Sequence, residues 1–145
     1  AEELEADALH LPLPLLRKLP GEDRGRFRQL GASCHSVADA REAQSLGCTY
    51  ITAGHIFEQT ASGDVPPGLG FLREVCGAVT IPVYAIGGIE PKRMGGDFAA
   101  GAAGACVMSG PMVCEDVGTY FADFAGAGKA AAAAVSGETE APSEK

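Results

Sequence analysis

His55 follows Gly54 directly after the apolar run Tyr50-Ile51-Thr52-Ala53, which places an ionisable imidazole at the end of a strand-like segment. Two further runs stop at residues able to bring bare backbone N–H groups against a ligand. Ile81-Pro82-Val83-Tyr84-Ala85-Ile86 ends at Gly87-Gly88, and Ala105-Cys106-Val107-Met108 ends at Ser109-Gly110. In a (βα)8 barrel a phosphate commonly sits in the loops after strands seven and eight, and the spacing here fits that pair. A base beside a phosphate cup is the equipment of an enzyme for a small phosphorylated molecule. Histidine suits proton transfer at neutral pH because its unperturbed pKa is about 6.5.

The elements that must hold these residues alternate along the chain. Ala8-Leu9-His10-Leu11 reads as a short strand, and Leu13 to Leu19 as a loose turn or short helix interrupted by Pro12, Pro14 and Pro20. Gln29 to Ser33 is a second strand. Ser36 with Asp39 forms a variant capping box that opens a helix over Val37 to Leu46, closed by Gly47. Tyr50 to Ala53 is the third strand, and a loop rich in Gly, Pro, Ser and Thr runs from Gly54 to Pro67, a length typical of binding loops. Leu69 to Val79 is predicted helical, Pro82 to Ile86 a strand, Pro91 to Ala100 a helix, Ala105 to Met108 a strand, and Glu115 to Phe124 the last helix. Regular β-then-α alternation predicts a parallel α/β sheet with right-handed crossovers.

Residues 1–126 therefore read as one domain and residues 127–145 as a disordered, Ala-rich, acidic tail with room for some helix in the alanines. A net charge of −8 and a pI near 4.8, without a clustered basic face, exclude nucleic acid as a partner. No apolar run has the length of a membrane span and the start lacks signal-peptide features, so the expected setting is cytoplasmic. The five cysteines are dispersed, with no C-x-x-C pair, and read as small buried apolar residues in a reducing compartment; Cys34 alone lies near enough to the rim to be weighed as reactive. The three histidines suggest no metal cluster, and no cofactor is expected.

Four strand ends in order, Gly31-Ala32-Ser33-Cys34-His35-Ser36, Gly54-His55-Ile56-Phe57, Ala85-Ile86-Gly87-Gly88-Ile89 and Val107-Met108-Ser109-Gly110, resemble successive signatures of the thiamine-phosphate synthase/thiazole tautomerase (TenI) family. The resemblance covers about Asp7 to Phe124. It implies a partial TIM (βα)8-type barrel in which this chain supplies the last five βα units. A complete barrel needs roughly 200 or more residues, so the expected partner is either a missing N-terminal barrel segment or a second copy in a homo-oligomer. A truncated, non-catalytic phosphate-binding remnant is the alternative outside enzymology.

The family holds two activities. The synthase joins a pyrimidine diphosphate to a thiazole phosphate with Mg2+; its resemblance would put Pro after Gly54, an Asp shortly after His10-Leu11 and Lys in the following loop. This chain has His55, Pro12-Leu13-Pro14-Leu15 and a Lys-free Glu58–Asp64 loop in those places. The tautomerase pattern carries His after the Gly, although Lys residues are usual in its loop too, and that branch shifts a proton on a carboxythiazole ethyl phosphate to make the ring aromatic. The tautomerase-like isomerase is accordingly the first expectation and thiamine-phosphate synthase the alternative, with Mg2+ needed only for the latter. His55 is expected as the proton shuttle; Gly87, Gly88, Met108 and Ser109 as the phosphate cup. Ser33, which shares a strand face with Gly31 and His35, joins Gln59, Thr60 and Ala61 as substrate contacts. His10 and His35 read as structural, and Arg93 stands where the family often has Asn.

Overall fold

The computed structural model describes residues 3, 5–57 and 65–137, the last three as backbone alone. Five strands, β1 (Ala8–Pro12), β2 (Gln29–Cys34), β3 (Tyr50–Ala53), β4 (Val83–Ile86) and β5 (Gly104–Cys106), form one sheet in sequence order, every neighbour parallel. Parallel neighbours need a crossover, and helices supply each one. These are α1 (Leu13–Lys18) and α2 (Gly21–Arg24), then α3 (Val37–Ser45), α4 (Gly68–Ala78), and a 3-10 turn (Pro91–Arg93) leading into α5 (Met94–Ala99). After β5 come α6 (Ser109–Val113) and α7 (Val117–Gly137).

The strands bury one face against the helices. Leu30, Ala32 and Cys34 of β2, Ile51 and Ala53 of β3, and Val83 and Ala85 of β4 pack with Leu16, Ala40, Ala43, Leu72 and Val75 in a single core. Small strand residues let the helices approach closely, and the larger helical side chains fill the space between. The alternate strand positions, among them Ser33, Thr52, Tyr84 and Cys106, face the other side of the sheet. In the described residues that face and the outer edges of β1 and β5 are not covered by further strands.

Local signals explain most boundaries. Ser36 Oγ accepts the Asp39 N–H at 3.0 Å and so caps α3 as expected. The Asp39 carboxylate reaches one residue further back than a capping box requires, accepting the His35 N–H at 3.0 Å. Pro12 and Pro14 start α1 rather than break it, since proline is tolerated in a first helical turn.

Three expectations need correction. The single-turn helices α2 and α6 lie where no helix was predicted; they are too short to show an apolar period. The last helix does not stop at Phe124 but continues to Gly137, so residues 127–137 of the expected tail are helical, while residues 138–145 lie outside the described residues. Alanine is the best helix former; Ala127 packs against the core, Ala131 is buried, and α7 lies along α5. Gly128 lies beside Met94, where small residues permit close helix contact.

Candidate functional site: a glycine-walled cavity at the strand ends

β3 delivers His55 to the rim, and two backbone hydrogen bonds knit its loop to the loop after β4: Ile56 N–H donates to Ile86 O and Phe57 N–H to Gly87 O, each at 2.9 Å. That seam leaves no space for side chains on the β4 loop. A Cβ at Gly87 would lie 2.9 Å from His55 Cα, and one at Gly88 2.9 Å from the Phe57 carbonyl carbon. Both residues also adopt φ values of 98° and 66°, which disfavour any residue with a Cβ. Gly87 and Gly88 are thus fixed by backbone shape and close packing together, and the turn they form exposes backbone rather than side chain to the cavity.

Arg93 braces the same turn. Its Nη1 donates to Gly88 O at 2.8 Å, and its guanidinium lies 4.5 Å from the centre of the Phe57 ring. Arg93 does not line the cavity; it clamps the two loops that do.

The cavity measures about 290 Å³. It gathers Ser33, His55, Gly87, Gly88, Met108 and Ser109, all expected from the sequence, and adds His35, Thr52 and Cys106, which were not. Gln59, Thr60 and Ala61 lie outside the described residues. A wider opening of about 470 Å³ continues down the same sheet face past Tyr50, Tyr84 and Arg28. It lacks the glycine turns of the rim.

His35, read from the sequence as a satisfied structural residue, has a backbone partner and also lines the cavity. Its Nδ1–H donates to Gly54 O at 3.1 Å, because a carbonyl can only accept, which leaves Nε2 as the nitrogen available to other partners. The ring stacks on His55 with centroids 5.6 Å apart and planes 16° from parallel. Two imidazoles, both solvent-accessible, therefore share one wall of the cavity. Thr52 pairs directly with Ser33 in the β2–β3 register, so two hydroxyls stand side by side. That pairing depends on register, which the sequence alone does not fix.

Cys34 is excluded as a nucleophile. It is fully buried, and burial pushes its thiol up to about 12, far from the thiolate that reactivity requires. All five cysteines are free. Among the described residues no group of three His, Cys, Asp or Glu could hold a metal ion, and no carboxylate lines the cavity.

A parallel βα sheet whose strand ends wall one cavity with glycine turns and histidines is the architecture of part of a TIM-type barrel. The chain matches the thiamine monophosphate synthase family, TMP-TENI, over residues 1–110, and it belongs to that family. It is 40% identical over 121 residues to thiamine-phosphate synthase of Moorella thermoacetica, covering 79% of this chain and 56% of that protein. To thiamine-phosphate synthase of Shouchella clausii it is 39% identical over 109 residues, covering 74% of this chain and 50% of the relative. Thiamine phosphate pyrophosphorylase from Pyrococcus furiosus superposes with a TM-score of 0.76 at 30% identity, covering 90% of this chain and 63% of the other. The chain thus spans about half the length of the curated relatives it matches.

Proposed function

We propose that this chain is the phosphate-holding part of a thiamine-phosphate synthase-type transferase of thiamine biosynthesis, which joins a pyrimidine diphosphate to a thiazole phosphate. The similarity to thiamine-phosphate synthases favours this reading over the tautomerase-like isomerase that His55 first suggested. The observation that carries it is the convergence of Gly87-Gly88 and Ser109 on one cavity. In this reading backbone N–H groups of Gly88 and Ser109 hold the thiazole phosphate, with Met108 contributing through its backbone. Ser33 and Thr52 offer further hydroxyls to the phosphorylated substrate. Anchoring a remote phosphate turns binding energy into orientation at the reacting ring.

The synthase reading implies Mg2+ beside the diphosphate. The described residues do not fit that ion, since none of the cavity-lining side chains is a carboxylate. The reading places the protein in the cytoplasm, supported by five free cysteines and by the absence, among the described residues, of a helix long and apolar enough to cross a membrane.

A thiazole tautomerase-like proton shift is the second reading, and the stacked His35–His55 pair favours it, because two adjacent imidazoles can take a proton from a ring carbon of a bound substrate and deliver one to its exocyclic carbon. One experiment separates the two. Purified chain is incubated with thiazole phosphate, hydroxymethylpyrimidine diphosphate and Mg2+, and in parallel with the carboxythiazole ethyl phosphate isomer. Thiamine phosphate in the first reaction supports the transferase. Aromatisation in the second alone, lost in His55→Asn, would replace it with the tautomerase, and neither product would overturn both.

A further inference from the structure

His10, Gly31 and Tyr50 form a row across β1, β2 and β3: His10 pairs with Gly31, and Gly31 with Tyr50. The central position has no side chain, and the outer two meet over it. His10 Nδ1 lies 3.1 Å from the Tyr50 hydroxyl, with the ring centroids 5.5 Å apart. A Cβ at Gly31 would sit 2.6 Å from His10 Nδ1 and collide with the Tyr50 ring. On its other side His10 Nε2 lies 2.9 Å from Ser33 Oγ. Ser33 faces the glycine-walled cavity, and among the described residues its hydroxyl has no other hydrogen-bond partner. Tyr50, His10 and Ser33 are thus one chain of hydrogen bonds that ends at the cavity wall.

The direction of that chain follows from the acidities of its members. A phenol is a stronger hydrogen-bond donor than an aliphatic alcohol, and the alcohol oxygen is the better acceptor. Tyr50 O–H then donates to Nδ1, the imidazole carries its proton on Nε2, and Nε2–H donates to Ser33 Oγ. Burial holds His10 below its ordinary value and Tyr50 above its own, so both members are neutral in this arrangement. With its oxygen occupied by His10, the Ser33 hydroxyl has its hydrogen left for the cavity, the polarity an anionic substrate oxygen needs.

We propose that His10 and Tyr50 are positioning residues that turn the Ser33 hydroxyl into a directed hydrogen-bond donor toward a phosphorylated substrate, and that Gly31 is glycine so that they can meet. The proposal rests on reading the cavity as a phosphate site.

The test is made on the full chain. Long-range 1H–15N NMR of the His10 ring is expected to show the Nε2–H tautomer, and Tyr50→Phe, with folding checked by circular dichroism, is expected to lose that preference. Thiazole phosphate affinity, measured by calorimetry, is expected to fall at least about threefold in Tyr50→Phe and in Ser33→Ala, with no further fall when the two are combined, because they act through one group. His10→Gln, which keeps a donor toward Ser33, is expected to retain more affinity than His10→Leu. An Nδ1–H tautomer in the wild type, or a Tyr50→Phe effect that persists in the Ser33→Ala background, would overturn the proposal. Should the wild type fail to bind thiazole phosphate, the phosphate reading falls, and the tautomer comparison still decides the relay.

Discussion

Gly88 carries two independent demands, a φ of 66° and a space that the Phe57 backbone already fills, and both are violated by a single methyl group. An alanine there costs roughly 1–2 kcal/mol for its backbone conformation alone, and the turn must shift to escape Phe57. Gly88→Ala is therefore expected to weaken phosphate binding about tenfold or more while leaving the sheet intact, as followed by calorimetry and circular dichroism. Asp97 makes a different prediction. It is fully buried on α5, and among the described residues neither carboxylate oxygen has a hydrogen-bond partner. Burial raises its pKa from 3.8 to about 6, with the charge of Arg93 pulling the other way. The folded state thus holds the Asp97 proton more tightly than the unfolded chain. The resulting stability is fully present below about pH 4 and is lost as pH rises through about 6. Urea unfolding is expected to show Asp97→Asn removing a stability loss on the order of 2 kcal/mol between those limits; an unchanged pH slope would refute this. That Gly87, Gly88, Ser109 and His55 lie at one rim was legible in the sequence, because residue type at a strand end carries the signal; their roles are what the binding experiments test. His35 and Thr52 were not legible in this way, since their places depend on which residue lies opposite in the next strand.

At the scale of elements, Arg93 ties the 3-10 turn to the loops after β3 and β4. Replacing it leaves Gly88 O and the Phe57 ring without their partner, but removes nothing from the core. Arg93→Ala is expected to weaken phosphate binding about fivefold with a melting temperature within a few degrees of wild type, whereas Arg93→Lys recovers only part because lysine lacks the planar fork. Measuring both affinity and melting separates this bracing from a general loss of fold. The packing of α7 gives a further test. Ala131 is buried where α7 meets the body of the protein, so Ala131→Asp is expected to destabilise the chain by about 2 kcal/mol, read by chemical denaturation. If residues 127–137 contributed nothing to the fold, that substitution would be neutral. The strands, and the longer helices other than α7, were recognisable within a residue or two, because apolar runs and caps mark them. The extension of α7 was obscured because a run of alanine and glycine shows neither an apolar stripe nor a stop signal until the chain turns polar, and tertiary packing decided the matter.

For the molecule as a whole, five consecutive parallel strands put the proposed phosphate cavity at their ends, lined from Pro12 of β1 round to Ser109 and Gly110 after β5, wholly within one sheet. The fold class was readable because alternation and order fix a parallel sheet. The balance between transferase and isomerase was not, because it turns on a few rim residues, and the sequences of relatives favour the transferase. Both readings require the same anchored phosphate, so the account stands on that cavity. The most direct measurement is calorimetric titration of the full chain with thiazole phosphate, with inorganic phosphate as competitor and Gly88→Ala in parallel. Saturable one-to-one binding that inorganic phosphate displaces and Gly88→Ala weakens about tenfold or more is the result predicted. No saturable binding, or binding indifferent to Gly88→Ala, would contradict it.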